Sequence, residues 1–225
     1  MKPITVLLAD DHLVVREGVA LLLKATGEFQ IVGMATSGTE AVALAAKLKP
    51  EVVVMDIGMR RLNGCEATRR IIAADPRARV LVLSAHSDDE YVVRLIAVGA
   101  VGFVEKQSSG ALLAEAVRTV AAGKAFFSPD IARRLTLNQR KARAQGKGHD
   151  DNALTSRETE VLQLIAEGAA NKHIAARLGI SIKTVEKHRQ AVMDKLDIHE
   201  TAGLTRFAIA TGVVEMGGRS SASGR

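Results

Sequence analysis

Four apolar runs in this chain lead into a group that can do chemistry. Val52-Val53-Val54-Met55 ends on Asp56, Ile4 to Ala9 on the pair Asp10-Asp11, Val80 to Leu83 on the hydroxyl of Ser84, and Val101 to Val104 is followed within two residues by Lys106. Unbroken apolar runs of this length read as strands buried on both faces, as in a parallel sheet covered by helices. In open α/β sheets, ligands bind beyond the carboxyl ends of the strands. Three acids, a hydroxyl and an amine therefore converge on one rim. A polar residue often does no more than terminate a strand, but one group of fitting chemistry at each of four strand ends makes a constellation.

Acids on adjacent strand ends form an all-oxygen site, which hard divalent cations such as Mg2+ prefer. A carboxylate can take up a phosphoryl group to give an aspartyl phosphate, and Asp56 is placed for that role. A metal ion and Lys106 would neutralise the developing oxygens, and Ser84 could donate a hydrogen bond to them. Neither GxxxxGK[ST] nor GxGxxG occurs in the sequence, so a P-loop ATPase and a dinucleotide enzyme lack support. A phosphatase or phosphotransferase using Asp56 as nucleophile is the rival reading. It would need a deep pocket and a separate general acid, and the sequence offers neither.

The elements that must position these groups follow from periodicity and breakers. Strands are expected at 4–9, 30–35, 52–55, 79–83 and 101–104. Helices are expected at 13–25, 39–48, 65–74, from Asp88-Asp89 to near Gly99, and at 110–122. Pro50, Asn63-Gly64, Asp75-Pro76 and Gly123 mark the breaks. Five strand–helix units make a three-layer α/β domain over residues 1–126. Residues 127–152 read as a basic linker, with a short helix at 130–137, and 216–225 as a disordered tail. Between them, 153–215 shows helices only. Thr155 and Glu158 form a capping box, Asn171 is placed to cap a helix over 172–178 that stops at Gly179, Ser181 to cap one over 182–195, and a last helix runs from near Thr201 to about Gly212.

Helix, glycine turn, helix is the general form of a helix-turn-helix. On the second of these helices Val185 and Val192 can face inward while Glu186, Lys187 and Gln190 point out, as major-groove reading requires. Lys172, Lys183 and Arg189 suit phosphate contacts. His173 and His188 have no ligand partner at close spacing, so phosphate-contact or structural roles fit them better than metal binding.

Composition sets the outer limits. The 225 residues, 47% of them apolar, suffice for two domains with real cores. No apolar stretch reaches the length of about 18 residues that a membrane span needs. The first apolar run is broken by Asp10-Asp11 and lacks a cleavage pattern, so no signal peptide is expected. Cys65, the single cysteine, rules out an intrachain disulfide and suits a reducing cytoplasm. Of the net charge of +6, residues 129–149 alone carry +5, with six basic side chains against one acidic, which favours a polyanionic partner.

Asp10-Asp11, VVVMDIGM at 52–59, LSAHSDDEY at 83–91 and GAVGFVEK at 99–106 together resemble the receiver domain of bacterial two-component response regulators. The resemblance implies a flavodoxin-like sheet of order 2-1-3-4-5, Asp56 as phosphoacceptor, and Mg2+ held by Asp10, Asp11, Asp56 and the Gly58 carbonyl. It also implies Ser84 and Phe103 as switch residues and Lys106 as the conserved-type lysine. Arg60 stands where the family usually has proline. Gly58 and His86 stand where side chains influence phosphoryl lifetime. LTSRETEVLQLIAEG at 154–168, NKHIAARLGIS at 171–181, TVEKHRQAVMDKL at 184–196 and TAGLTRFAIATGVV at 201–214 resemble the LuxR-type DNA-binding domain, with His173 replacing a usual glutamate. That makes 182–195 the recognition helix, with Lys172, Lys183, Thr184, Glu186, Lys187, His188, Arg189 and Gln190 toward DNA. The last helix becomes a dimer contact through Leu204 and Ala208. The two resemblances occur in the order of the NarL/FixJ class. They imply a sensor histidine kinase, double-stranded DNA and a second copy of the chain as partners, a cytoplasmic location, and no enzymatic activity beyond self-phosphorylation and slow dephosphorylation. A regulator that binds DNA without phosphorylation is the nearer alternative.

Overall fold

The computed structural model describes residues 2–85, 89–127, 131, 154–211 and 213–214. The expected helix at 130–137, the rest of the expected linker apart from Phe127 and Ile131, His86 and the expected tail lie outside them. Strands β1 (Ile4–Ala9), β2 (Phe29–Ala35), β3 (Val52–Asp56), β4 (Val80–Ser84), β5 (Gly102–Glu105) and β6 (Phe126–Phe127) alternate with helices α1 (Leu13–Ala25), α2 (Gly38–Leu48), α3 (Gly64–Ala74), α4 (Asp89–Ala97) and α5 (Gly110–Ala121). All neighbouring strands run parallel, in the order β2-β1-β3-β4-β5-β6. The expected order holds for the first five. Two residues are too short for any periodicity to show, so β6 was not legible; it continues the edge by pairing Phe126 with Gly102 and Phe127 with Phe103.

Alternate residues of each strand face opposite layers, which is why the middles of the central strands are apolar on both sides. Val6, Leu8, Val52 and Val54 pack with Val19 and Leu23 of α1 and Leu113, Val117 and Val120 of α5. Leu7, Val53 and Met55 pack with Ala41 of α2 and Ala67 and Ile71 of α3. Beyond β4, Val82 and Phe103 pack against Val92 and Leu95 of α4. Both faces being sealed, only the strand ends are left for chemistry.

The second domain is helical: α6 (Ser156–Ala166), α7 (Asn171–Leu178), α8 (Ile182–Leu196) and α9 (Thr201–Ala210). Thr155 and Glu158 form the expected reciprocal capping box, and Ser181 accepts from the Thr184 amide. Gly179 ends α7 at φ 64°, a left-handed conformation open to glycine without a Cβ clash. Asn171 does not cap α7. Ala170 holds the cap position without a side-chain bond, and the Asn171 amide oxygen instead accepts from the Arg189 guanidinium at 3.5 Å. Leu162, Ile165, Ile174, Val185, Val192, Leu204 and Ala208 form the core.

Helix α6 is buried on more than one side. Glu160 and Gln163 are 5% and 1% exposed, although polar residues at these spacings read as a solvent face. The first domain covers them: Arg70 of α3 is bonded to Glu160, and Gln163 meets the loop between β3 and α3.

Candidate functional site

The parallel register brings four strand ends to one edge. Ala9 lies beside Met55, Asp56 beside Leu83, and Ser84 beside Glu105. Asp56 is 1% exposed, Asp10 4% and Ser84 1%. The Lys106 ammonium stands 2.9 Å from Asp56 Oδ1 and 3.1 Å from Asp10 Oδ2. Burial works against the lysine charge, but Asp56 and then Asp10 more than offset it, and the Lys106 pKa is raised above its ordinary value. The Lys106 amide donates to the Ser84 carbonyl at 2.8 Å, which ties the β4 and β5 ends together. Asp56 Oδ1 also accepts from the Ile57 amide at 2.8 Å.

Two further contacts set the acid pair. The buried Arg16 of α1 donates to the Asp10 carbonyl, and Asp10 Oδ1 accepts from the His12 amide at 2.8 Å. Arg16 went unnoticed in the sequence; its spacing on α1 is the one signal that could have found it. His12 Nδ1 lies 3.1 Å from Asp11 Oδ1 and 3.3 Å from Asp10 Oδ1. Asp10, Asp11, His12 and Asp56 each offer a ligand atom within 4.8 Å of the others. Asp10 Oδ2 and Asp11 Oδ1 are buried, with Lys106 3.1 Å from the first and His12 Nδ1 3.1 Å from the second, and a cluster of carboxylates this rich in oxygen fits a hard divalent cation.

The loop after Asp56 makes a close approach. A Cβ on Gly64 would fall 2.0 Å from the Asp56 carbonyl oxygen, and the Gly64 amide donates to the Ile57 carbonyl at 2.9 Å, closing the loop that carries Gly58. Asn63 caps α3 by accepting from the Glu66 amide. Phe103, the expected switch aromatic, is 1% exposed under α4.

In the second domain, Lys172, Lys183, Glu186, Lys187 and Gln190 are exposed, and Val185 and Val192 are fully buried, as the helix periodicity required. Thr184 and His188 are half-buried. The first domain leaves the face of Glu186, Lys187 and Gln190 uncovered. Arg189 is half-buried: its guanidinium donates to Asn171 of α7 and to Thr201 of α9, so it braces three helices as well as facing a flank. Leu204 and Ala208 need correcting as dimer contacts. Both are 0% exposed because this side of α9 packs on α6, so neither is available to a second copy; Ala202 and Arg206 are the exposed residues of this helix's opposite side.

Residues 6–118 match the family model of the response regulator receiver domain, and residues 152–208 that of the bacterial regulatory proteins of the luxR family. The chain belongs to the two-component response regulators of the NarL/FixJ class. The regulator is 35% identical over 226 residues to the transcriptional regulatory protein DegU of Brevibacillus brevis, covering 95% of this chain and 96% of that one. It is 37% identical over 205 residues to LiaR of Bacillus subtilis, covering 91% and 96%. Among solved structures it resembles a LuxR-family response regulator from Aurantimonas (33% identity, TM-score 0.59, covering 62% of this chain and 99% of that one). It also resembles the RcsB response regulator of Salmonella typhimurium (27% identity, TM-score 0.56, covering 93% and 100%). The regulator is thus a phosphorylation-responsive receiver joined to a LuxR-type DNA-binding domain, with no enzymatic role toward other substrates. No helix among its described residues is long and apolar enough to cross a membrane.

Proposed function

We propose that this regulator is a sequence-specific transcription regulator switched by phosphorylation of Asp56 by a sensor histidine kinase in the cytoplasm. The observation that carries the reading is the buried contact of Lys106 with Asp56 and Asp10 at the sheet edge, in one chain with an exposed helix-turn-helix face. An Asp56 carboxylate oxygen forms the new bond to phosphorus as the donor's own bond to phosphorus breaks. Lys106 stays charged and balances the oxygens of the acyl phosphate, and Ser84 donates to one of them. Asp10, Asp11, Asp56 and the Gly58 carbonyl would hold Mg2+, which supplies charge neutralisation when bound. Movement of Ser84 toward the phosphoryl group vacates space that Phe103 takes up, and the surface of α4, β5 and α5 changes with it.

On DNA, Glu186, Lys187 and Gln190 read base edges in the major groove. Lys172, Lys183, Arg189 and the flanking Thr184 and His188 meet the backbone. Two copies pair through the exposed face of α9 on half-sites about one helical turn apart. A small phosphodonor with Mg2+ should add one phosphoryl group to the full chain, seen as intact mass, and Asp56→Asn should add none. Undiminished labelling of that variant would put the acceptor elsewhere.

A further inference from the structure

Two side chains of the DNA-binding domain hold the backbone of the loop that follows the phosphoacceptor strand. Gln163 accepts from the Asn63 amide at 3.1 Å and donates to the Met59 carbonyl at 3.2 Å. Glu167 accepts from the Arg61 amide at 3.1 Å and is itself bonded by Gln163 at 2.9 Å. Three polar groups of the 59–63 backbone, on alternate residues, are thus read across the domain boundary by one helix and its cap. Arg61 carries φ 71°, a left-handed conformation that a residue with a side chain leaves unless it is held. The held loop puts Arg60 Nε 3.9 Å from Asp11 Oδ2. A cleft of about 830 Å³ opens there, lined by Asp11, His12, Gly58 and Arg60 on one side and His173 and Arg177 on the other.

We propose that Gln163 and Glu167 are positioning residues for the metal site of the receiver, and that the docked DNA-binding domain lowers its affinity for a divalent cation. The inference rests on the reading of Asp10 and Asp11 as metal ligands. Docking fixes the loop, the loop places Arg60, and its largely exposed guanidinium sets a positive charge beside Asp11 that disfavours a metal ion there. Releasing the loop lets Arg61 relax and Arg60 leave. Coupling between two binding events is reciprocal, so metal uptake loosens docking by the same factor. The second domain then regulates the phosphoacceptor site without covering its own DNA-reading face, which the first domain leaves exposed.

The test uses the full chain and Mn2+ as the probe, with unbound Mn2+ counted by its electron paramagnetic resonance signal. Gln163→Ala should tighten Mn2+ binding by about five-fold, the lower end of ordinary coupling between sites. Arg60→Ala should tighten it by a similar factor, and the double variant should bind no more tightly than either single one, because both act through one contact. Glu167→Ala repeats the test should Gln163→Ala fail to fold. Equal or weaker binding by the loop-releasing variants, or additive gains in the double variant, would overturn the proposal. Wild-type binding that Asp11→Ala leaves unchanged would instead remove the metal reading beneath it.

Discussion

Replacing Lys106 with methionine keeps most of its apolar stem and removes its charge. The ammonium lies 2.9 Å from Asp56 and 3.1 Å from Asp10, and the three side chains are 13%, 0% and 6% exposed. At an effective dielectric constant near 20, each pair is worth about 5 kcal/mol of attraction before desolvation. Burying the lysine cancels much of this, so the wild-type triad adds little net stability. Removing one partner is different, because two carboxylates remain together with no cation; such losses run about 3–5 kcal/mol. Urea unfolding of the full chain in a chelator, followed by circular dichroism, should therefore show the receiver transition of Lys106→Met falling by about 2 M, for a slope near 2 kcal/mol/M. Saturating Mg2+ should restore part of the loss in this variant and stabilise it more than it does the wild type, since the ion finds uncompensated acids. A variant as stable as the wild type in chelator, or one that Mg2+ helps less, would refute the reasoning that the acids are charged and compete for one cation.

Three other outcomes follow from particular residues. Arg61→Gly should stabilise the chain by up to about 1 kcal/mol in the same unfolding assay, since it removes a left-handed penalty of about 1–2 kcal/mol, partly offset by the freer unfolded glycine, and keeps the backbone bond to Glu167. Lys187→Ala should cost about 1–3 kcal/mol and relax preference at particular base pairs on a randomised duplex library, whereas Lys183→Ala should weaken all sequences alike and lower the salt slope by about one. In Glu158, burial raises the pKa, but bonds from Lys195 and the Thr155 backbone prevail and it lies below the ordinary 4.5; its contribution is present above that value and lost as pH falls through the depressed one. Acid titration of the helical domain should show Glu158→Gln flattening the stability loss below about pH 4.5.

The parallel sheet and its chemical edge were legible because both rest on local patterns. Apolar runs such as 52–55 can be satisfied only with both faces covered, and a covered parallel sheet has one rim for Asp10, Asp56 and Lys106 to share. The bundle was legible through Thr155, Gly179 and Ser181, whose side chains or backbone must end helices. What failed depended on contacts distant in sequence. Leu204 and Ala208 were taken for a pairing face because sequence cannot say whether the apolar face of α9 serves the bundle's own core or a second copy. Gln163, Glu160 and Arg70 drew no notice because polar residues at helical spacing look solvated until a second domain covers them. Arg61 gave no sign of its left-handed backbone, since positive φ is legible mainly where glycine or asparagine stands.

The central claim is that a phosphoryl group on Asp56 controls DNA binding by the second domain. The direct measurement is equilibrium binding of the full chain to a duplex carrying its selected two-half-site sequence, with Mg2+, with and without a small phosphodonor, for wild type and Asp56→Asn. The account predicts that the phosphodonor tightens wild-type binding by at least tenfold and leaves Asp56→Asn at the unphosphorylated level. Equal affinity in all four conditions, or an equal response of Asp56→Asn to the phosphodonor, would contradict it.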